Sequence, residues 1–285
     1  REGRILMEKL FENGTLTLKE AGVQKLVEEK EANSGKPVIK LKNLYFRYAK
    51  NADDVLRGLN LEIEEGKLHC LLGGNGSGKS TTLKAICEII KPQSGKVKIA
   101  DNCRAAMVPQ NPQALFTEIS CEEEVLEGMC YQKLEIEEKV QRTEEMLKLM
   151  EIEHLRKANP YDLSGGEQQR LALAKVMVSN PDILLLDEPT KGLDPFFKQT
   201  LGRILRSLCK ENKTIFMVSH DIEFCAEFGD RCSMFFDGEI ATSGSAKEFF
   251  SGNNFYTTVE NKLTRKWCEG IITGEEARTW IRSLL

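Results

Sequence analysis

The sequence predicts an α/β fold, on three observations. Short apolar runs at 68–72, 183–186 and 214–218 read as fully buried strands, bounded by turn residues and too short for helices. Each run ends in small or polar residues: Gly73-Gly74, Asp187-Glu188 and Ser219-His220-Asp221. Between them the hydrophobic period becomes helical, most clearly over Leu134 to Met150. The 285 residues suffice for one large domain. With 41% hydrophobic and 29% charged residues the composition is globular, and no apolar run approaches the roughly 18–20 residues of a membrane span. A net charge of −4 gives no general reason to expect nucleic acid. Nine cysteines, none in a C-x-x-C pair, read as reduced thiols rather than a disulfide frame or zinc site.

Residues 1–36 are highly charged, with helical patches around Ile5 to Phe11 and Ala21 to Lys30, and Asn33 to Pro37 reads as a linker. This piece resembles the C-terminus at a constant offset of 256. Gly14, Thr17, Glu20 and Ala21 recur as Gly270, Thr273, Glu276 and Ala277, and Phe11 matches Trp267. Each copy holds a T-x-x-E capping box that starts a helix. Residues 1–36 are therefore expected to be the tail of an upstream copy of the same module, and the chain, which begins with Arg, a piece of a longer tandem protein.

Strands are predicted at 38–41, 44–48, 54–59 and 61–63, followed by the 68–72 strand and a helix from Thr81 to Ile90. Lys96 to Ile99 and Ala105 to Val108 are further strands, and residues 113–158 read as helical and acidic. A helix is predicted over Gln168 to Val178. Asp237-Gly238 marks a type I′ hairpin between Cys232–Phe236 and Glu239–Thr242. Ser245 and Glu248 form a capping box for a helix through Phe250. Residues 256–285 read as a helical tail with Trp267 and Trp280 as packing anchors.

The chemistry concentrates at four places. Gly73-Gly74-Asn75-Gly76-Ser77-Gly78-Lys79-Ser80 fits G-x-x-x-x-G-K-[ST], and it sits between a strand and a helix, the context that motif requires. The glycines let successive N–H groups face one phosphate, and the helix N-terminus behind them favours the anion. Lys79 would reach the β- and γ-phosphates, and Ser80 a magnesium ion. Leu163-Ser164-Gly165-Gly166-Glu167-Gln168-Gln169-Arg170 opens a helix with free N–H groups and a serine. Asp187 and Glu188 end a buried strand, where paired carboxylates need a task. Asp187 would hold Mg²⁺ with Ser80, and Glu188 would polarise a water. His220 ends a third strand in the same way. A lone histidine is more often structural, but one that ends a core strand in the pattern of the acidic strand is expected to face the same phosphate.

The motifs and their order resemble the ATP-binding cassette ATPases over about 37–255. The resemblance implies a P-loop NTPase core with a mixed sheet, an antiparallel β subdomain and an inserted α-helical subdomain at about 111–164, with 256–285 as a C-terminal helical extension. It implies ATP and Mg²⁺ as ligands. Gly73 to Ser80 looks like Walker A, with Thr81 beside it, and Tyr48 like the aromatic that stacks on adenine. Tyr45 and Phe46 compete for that role, and strand alternation does not settle it. Gln110 looks like the Q-loop glutamine, a ligand-positioning and metal-facing residue, and Leu163 to Gln168 like the signature motif. Ile183 to Asp187 with Glu188 looks like Walker B and the catalytic glutamate, Asp194 like the D-loop and His220 like the switch histidine.

Ser164, Gly165 and Gly166 are then expected to act in trans, on ATP held by a second module, either the upstream one or a second copy. Pro109 to Phe116 and the Phe255-Tyr256 tail look most like energy-coupling-factor importers of vitamins or metal ions. Membrane transporter subunits are the implied partners, and the cytoplasmic face of the membrane the implied location. Soluble relatives acting in translation or DNA maintenance are the alternative. Against them, only 85 residues separate Lys79 from Ser164, with no coiled-coil or zinc insertion, and residues 1–36 are of mixed charge.

Overall fold

The computed structural model describes residues 35–252, 256–265 and 267–284. The upstream copy of the terminal repeat, and Phe255, lie outside them. β1 (Pro37–Phe46) pairs antiparallel with β2 (Leu56–Glu64), and β3 (Leu68–Gly73) leads through the glycine-rich loop into α1 (Lys79–Ile86). β4 (Ser94–Ile99) and β5 (Ala105–Val108) follow, then α2 (Cys121–Glu127), α3 (Ile136–Leu149) and α4 (Gly165–Met177). The chain continues through β6 (Ile183–Asp187), α5 (Pro195–Lys210), β7 (Thr214–Val218) and α6 (Ile222–Phe228). The hairpin β8 (Arg231–Phe236) and β9 (Glu239–Ser245) precedes α7 (Ala246–Gly252), α8 (Val259–Thr264) and α9 (Gly274–Leu284).

Two sheets result. A three-stranded antiparallel sheet has the order β2-β1-β4, and a six-stranded sheet the order β5-β6-β7-β3-β8-β9. The latter is mixed: its first five strands are parallel and β9 returns antiparallel to β8. The α/β architecture expected from sequence, with a mixed sheet, an antiparallel sheet and interposed helices, is what the chain adopts.

The uniform apolar runs follow from burial on both faces of a parallel sheet. Leu68, Cys70 and Leu72 of β3 pack into the core that holds α2, α4 and α5, while Leu71 faces a second core beneath the antiparallel sheet. Leu184 and Leu186 of β6 divide from Ile183 and Leu185 in the same way. Because all these strands are parallel, their C-terminal ends lie along one edge, and that edge carries the chemistry. No helix among the described residues is long and apolar enough to cross a membrane.

Several boundaries differ from expectation. The first two predicted strands are one, β1, bent by a bulge where Asn43 takes a left-handed φ of 47°. β2 starts at Leu56 rather than Asp54 and runs unbroken to Glu64. The helix expected over Thr81 to Ile90 is α1, which stops at Ile86 because Glu88 turns left-handed at φ 57°. The helical stretch at 113–158 is broken into α2, α3 and short 3₁₀ turns by local caps. Asn111, Ser120 and Asn159 each bond a backbone N–H two or three residues on, which starts a new turn. The helix expected from Gln168 begins at Gly165. Ser164 and Glu167 form a reciprocal capping box that fixes this start. The caps at Ser245/Glu248 and Thr273/Glu276 and the Asp237-Gly238 hairpin form as expected.

Candidate functional site

The loop between β3 and α1 is shaped by its glycines. A Cβ at Gly73 would lie 2.4 Å from the Phe235 carbonyl oxygen of β8, so no side chain fits there. Around Gly74 and Gly76, by contrast, a Cβ would meet nothing within 4 Å. The space beside these two glycines is open, and Asn75 between them is exposed. Ser77 Oγ is buried without a hydrogen-bond partner, a donor that an anion in the loop would satisfy.

Lys79 opens α1 and is only 5% exposed. Its Nζ donates to the carbonyls of Gly73 (3.0 Å) and Gly74 (2.8 Å) and lies 3.4 Å from His220 Nε2. Burial pulls its pKa down, opposed by the Glu188 and Asp187 carboxylates. Ser80 Oγ donates to Asp187 Oδ1 at 2.9 Å, joining α1 to the end of β6. Asp187 is 2% exposed, and burial lifts its carboxyl above the usual range against the pull of Ser80, Lys84 and Lys79.

Glu188 has a left-handed backbone, φ 55°, held by its N–H donating to Val218 O of β7 at 2.9 Å. One carboxylate oxygen accepts the His220 backbone N–H at 3.2 Å, and the other lies 3.1 Å from His220 Nε2. Burial raises the Glu188 pKa, and burial with the nearby Lys79 lowers that of His220. A neutral imidazole between an ammonium and a carboxylate can serve one of them at a time, according to which nitrogen carries the proton. Lys79, Ser80, Asp187, Glu188 and His220 thus converge at the ends of β3, β6 and β7. Ser80 and Asp187 are hard oxygen donors in contact, a pair that fits Mg²⁺ held by few protein ligands plus phosphate oxygens.

The three aromatic candidates for adenine stacking differ in placement. Phe46 is buried in the core, and Tyr45 lies along Gly58 of β2. Tyr48 is exposed, packs edge-on against Phe46 with ring centroids 4.9 Å apart, and its hydroxyl is 3.0 Å from Thr81 Oγ1. Of the three, it is the one that reaches α1 beside the loop. Gln110 is exposed two residues beyond β5. Val108 is in register with Leu186, so Gln110 and Glu188 emerge at the same sheet edge.

Ser164, Gly165 and Gly166 do not join this cluster. They line a separate cavity of about 530 Å³ with Glu151, His154, Arg170 and the turn at Gly192 to Asp194. A Cβ on Gly166 would come 2.8 Å from Gly192 O, so the two turns touch only because residue 166 lacks a side chain. Sequence reasoning passed over the residue that organises this region. Arg170 donates to Asp194 (2.6 Å) and Glu151 (3.2 Å) and stacks 3.9 Å over the Phe197 ring. Its only sequence signal was its place at the end of the LSGGEQQR octet. Lys198–Asp221 (2.7 Å), which ties α5 to the residue after His220, had no signal.

A family model described as ABC transporter matches residues 56–191. A putative ABC transporter ATP-binding protein of Bacillus cereus is 41% identical over 250 residues, covering 84% of this chain but 45% of the relative. The chain thus spans less than half the length of that relative. The energy-coupling factor transporter ATP-binding protein EcfA of Methanocaldococcus jannaschii is 33% identical over 227 residues, covering 75% of this chain and 81% of EcfA. Among solved structures, the dimeric bacterial ABC transporter cassette MJ0796 superposes with a TM-score of 0.67 at 33% identity, over 73% of this chain and 98% of that one. The cbiO1 protein of Clostridium perfringens, part of the ABC transporter complex cbiONQ, gives 0.68 at 30% identity, over 81% and 96%.

Proposed function

Since the chain belongs to the ATP-binding proteins of ABC transporters, we propose that it is the ATPase module of an energy-coupling-factor importer for a vitamin or metal ion, working at the cytoplasmic face of the membrane. The observation that carries this reading is the convergence of Lys79, Ser80, Asp187, Glu188 and His220 around an open glycine loop. It is the donor set for attack of water on a terminal phosphate. Lys79 exchanges its carbonyl partners for phosphate oxygens, and the loop N–H groups hold the rest of the chain of phosphates. Ser80 and Asp187 would hold Mg²⁺, with Gln110 as a further ligand residue, and the ion would supply charge neutralisation at the phosphate oxygens. Glu188 orients the attacking water and His220 steadies the developing charge. Tyr48 stacks on the adenine.

Ser164, Gly165 and Gly166 cap the nucleotide of a second module. Their separation from this chain's own loop supports action in trans, and the dimeric relative is in keeping with it. The second module is an upstream copy in the same chain or a second copy of it. The offset-256 repeat supports the tandem form, as does the greater length of the Bacillus relative. The likeness to EcfA and to cbiO1 supports the importer type, and no relative described above favours translation or DNA maintenance.

The test is purification of the full parent protein from gently solubilised membranes, with mass spectrometry of what accompanies it. Recovery of polytopic membrane proteins, one a small solute-binding subunit, supports the importer reading. Recovery of ribosomal or DNA-associated proteins without membrane subunits overturns it.

A further inference from the structure

The site does not use the most deeply buried ion pair among the described residues. Glu124 of α2 is fully buried and Lys175 of α4 is 8% exposed, and their charges meet directly. Both also grip the segment that follows Gln110. Lys175 Nζ donates to Leu115 O (2.7 Å) and Thr117 Oγ1 (3.4 Å), and Glu124 Oε1 accepts the N–H groups of Thr117 (2.5 Å) and Glu118 (2.6 Å). Nearer the signature motif the same segment is fastened twice more. Gln113 donates to Gln168 of α4 at 3.3 Å, and the Tyr161 hydroxyl donates to Phe116 O at 3.1 Å.

Holding α2 to α4 does not require this pair. Cys121 and Val125 of α2 already share one apolar core with Leu171 and Ala174 of α4. A buried ion pair also adds little stability over apolar residues of the same volume. What the pair does that apolar residues cannot is satisfy one carbonyl and two N–H groups of residues 115–118, fixing where that segment lies. We propose that Glu124 and Lys175 are positioning residues that lock the chain after Gln110 onto the signature helix, so that Gln110 and Ser164 shift as one body. A displacement of the Gln110 loop then moves the cap that Ser164 presents to a second module. This rests on the ATPase reading above.

The test is the double variant Glu124→Gln with Lys175→Met, which removes both charges and leaves no lone buried ion. Leu115 O loses its donor, so the variant is expected to melt modestly below the wild type, yet to bind ATP within about twofold, while kcat falls at least about fivefold. A folded double variant with wild-type kcat overturns the inference. If that variant fails to fold, hydrogen exchange on the wild-type protein decides. On addition of Mg-ATP, amides of 113–118 and of the first two turns of α4 must change together. A change confined to one of them overturns the coupling. Wild-type protein that neither binds nor hydrolyses ATP removes the ATPase reading itself, a different result from an active wild type matched by its variant.

Discussion

The glycine-loop cluster and the signature cluster are built on opposite principles. In the first, Lys79 and Asp187 are buried and Glu188 nearly so, each held by backbone, by the Ser80 hydroxyl or by an ionisable neighbour at the edge of a parallel sheet. In the second, Ser164 and Gly165 are exposed, and the ordering comes from one largely buried arginine and a glycine-to-backbone contact. Low dielectric strengthens every charge in the first and costs nothing to rearrange at the moment of reaction. The second offers donors on an open surface, suited to meeting something brought from outside. On the function proposed above, one chain thus carries a nearly complete cradle and an isolated cap, the halves of two different sites.

Substitutions can break this contrast. The largest effect is expected at Glu188. Glu188→Gln should lower kcat at least about 100-fold with ATP affinity retained, and a rapid-quench phosphate assay beside equilibrium binding reads both. Ser164→Arg is expected to reduce turnover by about tenfold or more yet leave ATP binding to the same chain within about twofold. A matching loss of affinity there would mean that the cap serves its own cradle. Lys79→Ala should act in the reverse sense, weakening ATP binding by roughly tenfold, the scale of one charge-assisted contact. Unchanged affinity by calorimetry would contradict its role.

The smallest effect concerns the strand beneath the cradle. His69 of β3 is 1% exposed and bonded through Nε2 to Ser233 at 2.7 Å. Burial, with Arg231 nearby, lowers its pKa from 6.5 to about 3. Between those values the unfolded chain binds a proton that the folded chain refuses, so stability falls as pH drops below 6.5. From pH 7 to pH 5 the loss is about 2 kcal/mol from this group. Urea denaturation at both pH values should show it, and His69→Gln should reduce the difference. An equal loss in that variant would place the acid sensitivity elsewhere.

The cradle was legible in sequence because its residues are contiguous with strands that announce themselves. A run such as Ile183 to Leu186 has no solvent face, and a polar group at its end must project from the sheet edge. What stayed hidden depends on helix phase and on distant partners. Glu122, Glu123 and Glu124 look equivalent in a row, but the Ser120 cap sets the helix so that only Glu124 turns fully inward to meet Lys175, 51 residues away. Arg170 is likewise defined by Asp194 and Glu151, not by its neighbours. The early end of α1 escaped because Ile89 and Ile90 extend an apolar pattern that the left-handed Glu88 interrupts.

The left-handed backbone at Glu188 sets stability and turnover against each other. Such a conformation costs a side-chain-bearing residue on the order of 1 kcal/mol, and asparagine or glycine adopts it more readily. A library at position 188 sorted only for resistance to heat is therefore expected to enrich those two. Selection for hydrolysis is expected to retain the carboxylate, and the sequence at this position would then record chemistry rather than architecture.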